Sequence, residues 1–133
     1  MDSSALVEDG AAGIERIVAR LEERGVQVPG AYLIQVIGAD SFEEFNLRIV
    51  TNDDPRDVLY KYVALRRDGL LPWISEDVTM TPVSPGNIEA SRVLDYARQI
   101  GRLPTRIRGV VWKGLYIEDA IVVRYPLSER AAA

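Results

Sequence analysis

The chain has 133 residues, net charge −4, 47% apolar and 27% charged residues, the proportions of one ordinary globular domain that needs neither metal nor disulfide to bury a core. It contains no Cys and no His. That excludes disulfides, zinc and iron–sulfur centres, thiol nucleophiles, Ser-His-Asp chemistry and histidine general bases, so the sequence leans away from an enzyme and calls for no cofactor.

The N-terminal segment MDSSALVEDG is acidic and lacks the apolar core of a signal peptide. No apolar run approaches the roughly 18 residues of a membrane span, so a soluble, cytoplasmic protein with no membrane partner is expected. Residues 1–10 and 128–133 are read as frayed ends of a single domain covering 1–133. Charge is uneven. Residues 1–57 hold 12 acids and 5 bases, whereas 58–133 hold 8 acids and 11 bases. Such asymmetry means either two faces for two partners or attraction inside one fold.

The first helix is predicted over Ala11–Arg24, where Ile14, Ile17, Val18 and Leu21 mark one buried face and Gly25 the stop. Tyr32–Ile37 reads as a strand buried on both faces. Phe45–Val50 alternates, with Phe45, Leu47 and Ile49 inward and Asn46 and Arg48 outward. Asp54 fits the N-cap of a second helix, Pro55 its first position and Asp57 its first turn. Val58, Leu59, Tyr62 and Val63 are assigned to its inner face. Gly69 ends it.

Val78–Thr81 then alternates as a short strand, which Pro82 and Pro85 confine to an edge. Ser84 and Pro85 read as the cap and first residue of a third helix running to Ile100, with Val93, Leu94, Ala97 and Ile100 inward. Gly101, Leu103 and Pro104 stop it. Arg106–Trp112 and Leu115–Tyr125 form an antiparallel hairpin about Lys113-Gly114. Asp119 interrupts the last strand's alternation, so Glu118-Asp119 marks either a bulge or a second turn. The order α-β-β-α-β-α-β-β predicts an α/β fold (α+β being the alternative). It is a mixed sheet of about five strands with three helices packed on it.

Neither a phosphate loop nor a dinucleotide fingerprint occurs. Three sets of residues are candidates for function. Leu71, Pro72 and Trp73 leave the second helix as an apolar group on a stiff proline stem. They either fold over the core or anchor a protein partner or a second copy of the chain. The basic stretch Arg98–Lys113 has no acid within it, and Arg102, Arg106, Arg108, Trp112 and Lys113 could hold phosphates and stack a base of single-stranded nucleic acid. A helix C-terminus and a wet strand face account for the same cations. Asp40, Glu43, Glu44 and Asp53 could converge on a hard cation in a carboxylate-based hydrolase, although capping explains the acids at 53, 54 and 57 without a metal. Lys61 between Tyr60 and Tyr62 is either an amine nucleophile or a snorkelling surface lysine.

Two stretches resemble the hydrogenase maturation endopeptidases. Glu8-Asp9-Gly10-Ala11-Ala12-Gly13 followed by ERIVARLEERG resembles their acidic glycine turn leading into a helix. Ala90–Val111, with YARQIGRLPTRIRGVV at its core, resembles a helix stopped by Gly-Leu-Pro before a final strand. That family binds metal through two acids and a His. The resemblance therefore implies a degenerate, non-catalytic relative, with Asp9 at the first acidic position and no His for the third. The reading that best fits the whole is a non-enzymatic protein-binding or accessory module. Nucleic-acid binding and carboxylate hydrolysis are the alternatives.

Overall fold

The computed structural model describes residues 3–37, 43–72, 75 and 78–126. Its elements are α1 (Ser3–Glu23), β1 (Gly30–Ile37), β2 (Glu43–Val50), α2 (Pro55–Arg67), β3 (Thr79–Val83), α3 (Ile88–Ile100), β4 (Thr105–Trp112) and β5 (Leu115–Arg124). The predicted order is the observed one, and the domain is α/β with a single mixed sheet.

The sheet runs β3-β2-β1-β5-β4. β1 pairs antiparallel with both β2 and β5, and β4 pairs antiparallel with β5. β2 and β3 are parallel, joined by the α2 crossover, as a β-α-β unit requires. β3 is an edge strand carrying Pro82, opposite Ile49, where a missing N–H costs least.

Two apolar layers flank the sheet. On one face α1 and α2 pack Ile14, Ile17, Leu21, Val58, Tyr62 and Leu65 against Leu33, Leu47, Ile49, Ile121 and their neighbours. On the other α3 packs Ala90, Val93, Leu94 and Ala97 against Tyr32, Ile107, Ile117, Ala120 and Val122. Each fully buried aliphatic side chain contributes about 1.5–3 kcal/mol. The N-terminus of β1 lies so close to α3 that a β-carbon on Gly30 would stand 2.7 Å from Leu94 Cδ1 and 3.2 Å from Val50 Cβ.

Four expectations change. α1 begins at Ser3 rather than Ala11, because residues 3–10 hold no helix breaker but one glycine and continue the same turn. α2 buries Val58, Tyr62 and Leu65, while Leu59 and Val63 face outward. α3 is capped by Asn87, whose side chain accepts the Ala90 N–H, and Ser84–Asn87 is a turn closed by the Asn87 N–H on Ser84 C=O. Ile100, placed inward by pattern, is exposed at the end of α3.

The β4–β5 hairpin turns at Lys113-Gly114, where both residues have positive φ, the backbone of a two-residue turn that matches strand twist. Strand alternation slips by one halfway along it. Ile107 and Val110, three apart, pack in the same layer, as do Ile117 and Ala120 on β5. The register stays in phase between Val110↔Ile117 and Arg108↔Asp119. Gly109 between them has φ +59, so both strands turn together at that level. Asp119 therefore lies inside a continuous strand at a coordinated bend, and no second turn forms there.

Candidate functional site

The bend divides the basic stretch. Arg106 is the cross-strand partner of Ile121 and Arg108 of Asp119, and cross-strand partners share a face. Both arginines therefore stand on the α1 side. Arg106 donates twice to Asp119, Nε to Oδ1 at 3.1 Å and a terminal nitrogen to Oδ2 at 2.9 Å. This bidentate pair with a nearly buried carboxylate raises the Arg106 pKa above its ordinary value and explains the acid that interrupts the β5 pattern. Arg108 and Arg102 are exposed.

Trp112 and Lys113 go to the other side, against α3. One carboxylate oxygen of Asp95, Oδ2, accepts from Trp112 Nε1 at 3.0 Å and from the Lys113 ammonium at 2.8 Å. Tyr96 meets the indole edge to face, with ring centroids 5.2 Å apart. Lys113 Nζ lies 5.5 Å from the Trp112 centroid. Arg92 Nε donates to the Lys113 carbonyl at 3.0 Å. The hairpin tip is thus latched to α3 by three hydrogen bonds, two of them charge-assisted on one carboxylate. The bond from Lys113, helped by Trp112, holds the Asp95 carboxyl below the usual carboxylate range. Trp112 is spent on this latch, so its ring is not a free stacking platform. Of the predicted nucleic-acid set, the structure joins Trp112 and Lys113, with Arg98 nearby on α3, and separates them from Arg106 and Arg108.

Beside the latch lies a cleft of about 530 Å³. Its polar lining is Asn52, Ser91, Arg92, Asp95, Arg98 and Lys113, and Val50 and Leu94 supply apolar wall. Arg92, Asp95 and Arg98 follow one another at i, i+3 and i+6, a single stripe along α3. Asn52, Ser91, Arg92 and Asp95 were not singled out in the sequence. The spacing on α3 was visible, but nothing local places the stripe opposite Lys113, 15–21 residues away.

Of the apolar candidates, Leu71 and Pro72 stand on the other face of the sheet. Leu71 packs partly against the α1–α2 core. Pro72 and Leu70 line a shallow groove of about 410 Å³ with Arg16, Ala19, Arg20 and Glu23 of α1. Trp73 lies outside the described residues. The adjoining outer face of α2 is apolar. Leu59 is 39% exposed, Tyr60 76% and Val63 56%. Arg56, Tyr60, Val63 and Arg67 fall at i, i+4, i+7 and i+11, so arginines bound this apolar strip at both ends.

Some acids of the carboxylate candidates and of the α2 start have structural partners. Asp53 accepts the Gln27 backbone N–H at 3.0 Å, Asp54 caps α2 by accepting the Arg56 N–H and Asp57 pairs with Lys61 at 3.0 Å. Glu43 and Glu44 open β2, and Asp40 lies outside the described residues. Among the described residues no three metal-ligating side chains converge, and no helix is long and apolar enough to cross a membrane. One polar cluster was not foreseen. The buried Tyr32 hydroxyl donates to Glu89 Oε1 at 2.7 Å, and Arg48 Nε donates to the same oxygen at 2.9 Å.

Comparison with protein-family models, curated proteins and solved structures finds no match to this chain. Residues 8–13, which resemble a glycine turn, lie within α1. Gly101, Leu103 and Pro104 lie between α3 and β4.

Proposed function

We propose that the chain is a non-enzymatic binding module that engages a protein partner through the outer face of α2 and the adjoining Leu70–Pro72 segment. One observation carries this reading. Leu59, Tyr60 and Val63 form a contiguous exposed apolar strip on a helix whose opposite face already fills the core. Isolated exposed apolar residues are ordinary, but a contiguous strip is a feature of contact surfaces. Tyr is also enriched where interfaces concentrate their binding energy. Arg56 and Arg67 at the ends of the strip favour a partner whose apolar contact is rimmed by carboxylates.

The test is a side-by-side capture with wild type, Tyr60→Glu, Val63→Glu and Trp73→Ala, together with light scattering for self-association. Both α2 substitutions fall on exposed positions, so unfolding free energies should stay within about 0.5 kcal/mol of wild type. Loss of the wild-type partner, or of a wild-type dimer, with Tyr60→Glu and Val63→Glu supports the reading. A monomer whose captured partners are identical in all the variants refutes it.

A further inference from the structure

We propose that the outer face of α2, taken as the contact surface of the proposed function, is covered by a second copy of the chain. The two helices lie antiparallel about a two-fold axis level with Tyr62. Each Arg56 then meets Asp68 of the partner subunit, and each Arg67 meets Asp57 of the partner subunit.

Charge order comes first. Arg56-Asp57 opens α2 and Arg67-Asp68 closes it, about three helical turns apart, so both pairs stand on one side of the helix. A two-fold axis halfway between them lays the start of one helix beside the end of the other. Position 56 then stands level with 68, and 57 with 67. Each end of the dimer holds two arginines and two aspartates, a charge-balanced cluster. A parallel arrangement would instead set Arg56 against Arg56 and Arg67 against Arg67, which like-charge repulsion opposes. The antiparallel order also places the positive N-terminal end of each helix beside the negative C-terminal end of the other. All four charged residues are exposed. Arg67 comes no closer than 4.0 Å to its own Asp68. Asp57 engages Lys61 at 3.0 Å and keeps room for an arginine, because a carboxylate has about four acceptor sites. Shape comes next. Arg56, Tyr60, Val63 and Arg67 recur at alternating steps of four and three, the seam spacing of one helix packed along another. Tyr60 stands level with Ala64 of the partner subunit, where a small side chain leaves room for the ring. The second copy thus supplies both the apolar surface and the carboxylates that an arginine-bounded strip matches. α2 has 13 residues and is about 20 Å long, so the contact is at the small end of interfaces and the dimer is weak.

Sedimentation velocity of the whole chain over a range of concentrations should show a monomer–dimer equilibrium with a micromolar dissociation constant that weakens as salt is added. Tyr60→Glu should abolish the dimer. Arg56→Asp and Asp68→Arg each turn an attractive pair into a repulsive one, twice per dimer, and should weaken self-association by about tenfold or more. Mixed in equal amounts, these two variants restore opposite charges at both ends, and the mixed dimer should form with near wild-type affinity. An acid in the first turn of α2 and a base at its end both suit the helix dipole, so the thermal midpoints should stay unchanged. A chain that remains monomeric up to about 1 mM overturns the proposal. In that case, loss of a captured foreign partner with Tyr60→Glu would leave α2 as the contact surface with a different occupant. A dimer indifferent to Arg56→Asp and Asp68→Arg overturns the proposal as well, as do two weakened variants whose mixture does not recover.

Discussion

Replacing Asp119 with alanine tests the account of the hairpin bend. Asp119 is 7% exposed and receives both hydrogen bonds of the Arg106 fork, whose own side chain is 24% exposed. Breaking a buried ion pair by removing one partner costs about 3–5 kcal/mol, because the remaining charge stays desolvated. Arg106 keeps about a quarter of its surface in water, so about 2–3 kcal/mol is expected for Asp119→Ala. At about 2.1 cal/mol/K per residue, the unfolding entropy is roughly 0.28 kcal/mol/K, and the midpoint should fall by about 7–11 °C. Arg106→Met strands the more buried partner and should cost more. The double variant Arg106→Met/Asp119→Ala leaves neither charge without its partner and should cost less than the sum of the two single changes. Urea denaturation of the four proteins closes the cycle. A coupling energy below about 0.5 kcal/mol would refute the claim that the pair holds the bend, because contacting residues in such a pair should couple more strongly.

Tyr32→Phe should cost about 1–2 kcal/mol by urea denaturation, since Glu89 loses a hydroxyl donor but keeps Arg48. Burial, reinforced by the Glu89 bond, raises the Tyr32 hydroxyl pKa above its ordinary value. The neutral phenol is therefore favoured in the fold. Its contribution is complete below about pH 10 and is lost as pH rises beyond that, a loss that Tyr32→Phe should abolish. Asp95 behaves oppositely. Its carboxyl is held low by Lys113 and Trp112, so its contribution is present above about pH 4 and disappears as pH falls through the folded value. Trp112 fluorescence in a Trp73→Phe background should report that release, and Asp95→Asn should remove the acid transition. Gly30→Ala should destabilise by about 1–3 kcal/mol, because its methyl would overlap Leu94 Cδ1 and crowd Val50; a neutral effect in thermal melts would show that Leu94 repacks freely.

Local signals located most of the fold and little of the cleft. The α1 stripe, the Asp54-Pro55 start of α2 and the Lys113-Gly114 turn each rest on a few adjacent residues, and all three appear as read. α2 was harder. Val58, Leu59, Tyr62, Val63 and Leu65 spread apolar surface over an arc of roughly 160° at 3.6 residues per turn. Periodicity alone does not say which arc faces the sheet, and the core takes the arc of Val58, Tyr62 and Leu65. Pattern alone places the start of α3 three residues early, at Ser84, whereas the observed cap is Asn87. Tertiary pairing selects Asn87, because β3 continues to Val83, which pairs with Val50 and whose carbonyl accepts the Thr51 N–H, leaving Ser84–Asn87 to form the turn. Asp119 and Arg106 stand 13 residues apart, and Asp95 and Lys113 stand 18 apart. Neither pairing has a local signature.

The bend at Gly109 links these features. Arg106 and Arg108 precede it and stay on the α1 face, and Trp112 and Lys113 follow it and reach α3. One glycine with φ +59 thus decides that a continuous run of basic residues serves two sides of the sheet. It also makes the two surfaces separable. The α2 strip and the α3 cleft have no residue in common, and the sheet lies between them. Stability effects of Val63→Glu and Arg92→Gln should therefore add within about 0.3–0.5 kcal/mol, as they do for distant sites without shared partners. Gly109→Ala, by contrast, places a side chain in a left-handed conformation at a cost of about 1–2 kcal/mol. It should weaken both the Arg106–Asp119 pair and the Asp95 latch, which no substitution in either surface alone would do.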